Sequence, residues 1–195
     1  MRPEEARTRE YIHQRGTLST PLEIHERVRQ TFAATEEFLD SVSPGEERVR
    51  PAVGDWCIHE TVDHIFETHR PAVEELRWLL RGQPPPDEPI RTCHQSERPL
   101  ERPWPELVGK LKRLHADLLE ILVRIPADFT SEAKAPVLMV VNVENPDGSE
   151  MPVHWIQNLN WKEYAVTFFR LHALDHLNQA KRTLKAVRQG VEVTT

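Results

Sequence analysis

Four stretches of about twenty residues carry apolar side chains three and four positions apart, and proline or glycine closes most of them. In the first, Ile24, Val28, Phe32, Thr35, Leu39 and Val42 follow Thr20-Pro21-Leu22-Glu23. Thr20 reads as an N-cap, Pro21 occupies the first turn, Glu23 completes a capping box, and Ser43-Pro44-Gly45 stops the helix. Pro51 to Gly54 reads as a loop, and Asp55 can cap a second helix from about Trp56 to Leu80. Its stripe is Ile58, Val62, Ile65, Ala72, Leu76 and Leu79, and a Pro-rich loop then runs from Gly82 to about Pro103. A third helix spans about Pro105 to Arg124 on Leu107, Leu111, Leu114, Leu118 and Ile121, and a fourth about Trp161 to Arg188. A helix apolar on one side must bury that side, and four of them joined by loops predict an all-α, antiparallel four-helix bundle.

One segment departs from this period. Pro136 to Val143 is a β-branched apolar run, Asn145-Pro146-Asp147-Gly148 is turn chemistry, and Met151 to Ile156 is apolar again. A β-hairpin inserted over residues 134–157, between the third and fourth helices, is the simplest reading. Residues 1–19 are polar and are expected to form a short helix or a docked arm. With no internal repeat and no linker, residues 1–195 read as a single domain.

Composition narrows the function. The net charge of −6 and the absence of a basic, aromatic-interleaved stripe argue against nucleic acid. No apolar run approaches the ~20 residues of a membrane span, and the start lacks a signal-peptide core. Cys57 and Cys93 are too few and too isolated for a disulfide framework or a thiolate metal site. A cytoplasmic protein is the expectation.

The chemistry-bearing motif is His172-Ala173-Leu174-Asp175-His176. Helix positions i and i+4 share a face, so both imidazoles can reach one point, as a divalent metal requires. The pair falls in the same arc as Ala165, Phe169 and Val187, so it points toward the core. Burying two imidazoles costs free energy unless their nitrogens find partners, and either hydrogen bonds or a metal would supply them. A third ligand would come from His59, His64 or His69 on the second helix. His59-Glu60 starts like the metalloprotease H-E-x-x-H, but Asp63 stands where the second His belongs, and His59 and His64 lie roughly 140° apart. A di-iron bundle needs two Glu-x-x-His pairs, and only Glu10-Tyr11-Ile12-His13 matches. Periodicity favours His69, near the middle of the apolar stripe, over His64, which shares a flanking face with Glu60 and Glu67.

The string Gly54-Asp55-Trp56-Cys57-Ile58-His59-Glu60-Thr61-Val62-Asp63-His64-Ile65 resembles the second-helix signature of the DinB-like family of metal-dependent enzymes. His172-x-x-x-His176-x-x-Gln179 resembles that family's second signature, and the likeness spans roughly residues 20 to 189. The resemblance implies an up-down-down-up four-helix bundle whose metal ligands are His64, His172 and His176. The ion would be zinc or nickel, with open positions for water or substrate. Many members have Ser where Cys57 stands and His where Asp175 stands, and neither position is an expected ligand. Family members also include thiol-dependent transferases and isomerases using low-molecular-weight thiols such as bacillithiol or mycothiol. This implies a small-molecule substrate, with a homodimer as an expected assembly.

Three neutral imidazoles leave the charge of such an ion uncompensated, so it would activate a bound water or thiol for hydrolase or thiol-transferase chemistry. Glu60 and Asp175 are the expected catalytic carboxylates, with Asp63 and Glu67 as further neighbours and Gln179 as a donor to the ligand shell. Two rival readings are a non-catalytic helical interaction module with a vestigial or structural His cluster, and a bundle whose buried histidines respond to pH.

Overall fold

The computed structural model describes residues 2–144 and 150–190, so the expected turn at Asn145 to Gly148 lies outside the described residues. The chain runs through α1 (Pro3–Ile12), a π-helical turn (His13–Thr17), α2 (Pro21–Asp40), α3 (Ile58–Leu80) and α4 (Trp104–Val123). An antiparallel hairpin follows, β1 (Ala135–Glu144) with β2 (Glu150–Leu159), in register from Ala135 opposite Leu159 to Val141 opposite Val153. The last helix is one rod in three parts: α5 (Trp161–Val166), a π-helical stretch (Thr167–His172) and α6 (Ala173–Arg188).

α2 starts as its sequence dictates. Thr20 Oγ1 accepts the Glu23 N–H at 3.2 Å, and Glu23 Oε2 accepts the Thr20 N–H at 2.8 Å. The start of α3 differs from the expectation. Cys57 is still extended (φ −75°, ψ 171°), so the helix begins at Ile58 and Cys57, not Asp55, holds the cap position. Glu60 Oε2 reaches back to accept the Cys57 N–H at 2.9 Å.

Contacts along the helices fix their directions. Lys112 meets Asp40 at 2.7 Å and His115 meets Glu36 at 2.9 Å, so α2 and α4 are antiparallel. His64 packs on His176 and His69 on Phe169, so α3 opposes the last helix. Lys162 donates to the Ser19 carbonyl and Arg188 to the Ser41 carbonyl, so α2 and the last helix are parallel. The order is up, down, down, up.

The apolar interior falls into two clusters. One gathers Ile24, Val28 and Phe32 of α2, Ala72 to Leu79 of α3, Leu118 and Leu122 of α4, and Tyr164 to Ala173 of the last helix. The other gathers Phe38 and Leu39, Ile58 to Ile65, Leu107 and Leu111, and Leu177 to Leu184. Polar side chains gather near the boundary between the clusters: Glu36 on α2, His64 and His69 on α3, His115 on α4, and His172 and His176 on the last helix. Alternate residues of β1, Ala135, Val137 and Met139, enter the first cluster, so the hairpin caps that end of the bundle. α1 is docked there too. Ile12 is buried, and a Cβ on Gly16 would sit 2.9 Å from the Glu163 Cα, so only glycine fits.

Candidate metal centre

His64, His172 and His176 meet in the polar layer, with one nitrogen from each lying within 4.8 Å of the others. His64 and His172 face one another Nε2 to Nε2 at 3.0 Å, and both the His64–His176 and His172–His176 ring centroids are 4.5 Å apart. His64 is buried, whereas His172 and His176 keep some solvent contact. Trp56 packs on the rings of His64 and His176, with centroids 5.1 Å and 6.4 Å away.

His64 is inward although periodicity disfavoured it, because the 82–103 loop closes over its flank. The His94 carbonyl lies 2.7 Å from His64 Nδ1. The loop is tied to α3 by Ser96, which donates twice to the fully buried Asp63, and by Arg102, which bridges Asp63 and Glu67. His69 is inward as well, as periodicity required, and contacts the opposite side of His172. The last helix brings in His172 through its π-helical stretch, where Thr167 Oγ1 bonds back to the Glu163 carbonyl at 2.8 Å. A π turn carries about one extra residue and so rotates the residues beyond it by roughly 100° relative to a continuous helix.

Hydrogen bonds settle how two of the imidazoles present themselves. A carbonyl only accepts, so His64 must carry its proton on Nδ1 and turn the Nε2 lone pair to the cluster. Gln179 Oε1, 2.8 Å from His176 Nδ1, does the same for His176, and so acts as an acceptor where a donor was expected. Burial, reinforced by His176, pushes the His64 pKa down to about 4. Burial also carries His172 and His69 well below their ordinary range and lowers His176. All are neutral at pH 7, the form in which imidazole binds metals. Three convergent neutral nitrogens, two of them with lone pairs aimed at a common point, fit a divalent cation that accepts His donors.

The carboxylates are distributed differently from the expectation. Glu60 Oε1 pairs with Arg50 and its Oε2 holds the Cys57 N–H, so neither oxygen is hydrogen-bonded to an imidazole. Asp63 and Glu67 are taken by the loop latch. Asp175 is exposed, and its charge raises the pKa of His176. Cys57 is packed rather than reactive, with its thiol pushed up to about 11 by burial. The His94 carbonyl had no signal in the sequence, since any residue can supply a carbonyl.

These features define a four-helix bundle carrying a three-histidine group that could hold a metal ion. The chain belongs to the DinB superfamily, whose family model matches residues 27–180. A solved crystal structure, that of TT2238, a four-helix bundle protein, is similar at 20% identity with a TM-score of 0.50, covering 84% of this chain and 99% of that one. No curated protein matches. Among the described residues, no helix is long and apolar enough to cross a membrane.

Proposed function

We propose that this chain is a metal-dependent enzyme in which His64, His172 and His176 hold one divalent ion, zinc or nickel, through their Nε2 atoms. The observation that carries the reading is the convergence of three neutral imidazoles within 4.8 Å, two with Nδ1 fixed by carbonyl oxygens. A bound ion would bring a coordinated thiol or water to its reactive, deprotonated form near neutral pH. His64 orients one ligand atom from α3, and the His94 carbonyl keeps it from rotating away. Trp56 supplies an apolar wall beside His64 and His176 for a small-molecule substrate. Asp175, close enough to His176 for its charge to act on that ring and exposed to solvent, would accept the proton released by an incoming thiol or water. Glu60 acts at a distance, keeping the start of α3 and Arg50 in place.

Metal analysis of tag-free protein tests this. About one transition ion per chain is expected, lost in both His64→Ala and His172→Ala. Retention of full metal content in either variant overturns the ligand assignment.

A further inference from the structure

Beyond the triad, three more imidazoles are buried, those of His59, His69 and His115. We propose that His69 is a positioning residue for the metal centre: it accepts the Nδ1–H of His172 and so keeps that ligand with its Nε2 lone pair turned to the ion. The inference rests on the metal-binding reading above.

The need for such a partner comes from the hydrogen bonds. His64 and His176 each have an oxygen acceptor on Nδ1, whereas the only hydrogen-bond partner of His172 Nδ1 among the described residues is His69 Nε2, at 3.4 Å. A neutral imidazole donates from one nitrogen and accepts at the other. Two arrangements are therefore open to His172. With its proton on Nε2, it donates to the His64 Nε2 lone pair 3.0 Å away and the two histidines close on each other. With its proton on Nδ1, it donates to His69, and both Nε2 lone pairs face the same point. Only the second arrangement presents His172 Nε2 as a ligand.

The rest of the layer is compatible with the second. Glu36 lies 2.9 Å from His115 Nδ1, and a carboxylate only accepts, so His115 carries its proton on Nδ1 and offers an acceptor at Nε2. That Nε2 is buried without a partner, as is His69 Nδ1, and the two rings are 6.2 Å apart. If His69 accepts at Nε2 it must carry its own proton on Nδ1. Its donor and the His115 acceptor are then of complementary polarity. Glu36, near the surface, thus sets the tautomer of His115, and the polarity it leaves there is compatible with a proton on His69 Nδ1, although no hydrogen bond joins the two rings. Phe32 stacked on His115 at 3.6 Å and Phe169 edge-on to His69 at 5.3 Å hold the rings in place.

The test uses the full-length chain, with His69→Phe removing the acceptor and His69→Gln restoring one through its amide oxygen. Zinc affinity is measured by competition with a chromophoric chelator, and histidine tautomers by nitrogen-15 NMR. Zinc should bind roughly tenfold to hundredfold more weakly to His69→Phe, and His69→Gln should recover most of the loss. In the zinc-loaded parent, His172 should show a protonated Nδ1 that exchanges faster in His69→Phe. Equal affinity and an unchanged His172 signal in His69→Phe overturn the role, as does a Gln variant no better than Phe. If the Phe variant does not fold, the parent decides: His172 bound through Nδ1 overturns the proposal. A parent that binds no zinc is a different failure, that of the metal reading itself, recognised because all forms are then equally empty.

Discussion

His64 Nε2 and His172 Nε2 stand 3.0 Å apart, donated by two antiparallel helices from positions 108 residues apart in the chain. Burial disfavours a charge on either ring, so a cation between them competes with a single neutral hydrogen bond rather than with an ion pair.

Metal should therefore stabilise the fold by mass action. At free zinc a hundredfold above Kd, the gain is about 2.7 kcal/mol, which for a domain of this size is a rise in Tm of roughly 5–10 °C. Calorimetry with and without chelator measures it. An unchanged Tm in protein shown to bind zinc would mean that unfolded chains bind it equally well.

Without metal, stability should fall with acidity. The pKa of His64 drops from 6.5 to about 4 on folding, so the unfolded state binds more protons between those values and the native state loses ground as pH falls through that window. His69, His172, His176, His115 and His59 are lowered in the same direction and steepen the slope. Chelator-treated protein should hold a level Tm above about pH 6.5 and decline below it, less steeply in His64→Ala. A flat profile down to pH 4.5 would contradict the burial of these rings.

Arg102→Ala should loosen the loop over the site. Asp63 is fully buried and keeps only Ser96 once the guanidinium is gone. Leaving a buried carboxylate without its ion-pair partner costs about 3 kcal/mol, readable in a urea titration, whereas Arg98→Ala, in an exposed pair, should change little. Limited proteolysis between residues 82 and 103 should speed up in the first variant only.

Much of this architecture was legible in the sequence because it is local. Thr20 to Glu23 spelled a capping box, and the apolar stripes gave the helices within a few residues. The convergence of His172 and His176 followed from helical spacing. Periodicity correctly sent His69 inward but set His64 on a flanking face, because the burial of His64 depends on a loop thirty residues away. Resemblance supplied that residue. The pairing of Glu36 with His115 joins positions 79 residues apart and had no local signature. Nor did the π-helical stretch, which depends on how the last helix meets its neighbours.

The division of the apolar interior into two clusters has a mechanical consequence. A band of imidazoles adheres less strongly than packed leucines, so the two ends of the bundle are expected to open and exchange hydrogen separately. An ion held by His64, His172 and His176 would join α3 to the last helix on that seam and work as a rivet there. Metal binding and breathing of the halves would then be governed by the same three side chains.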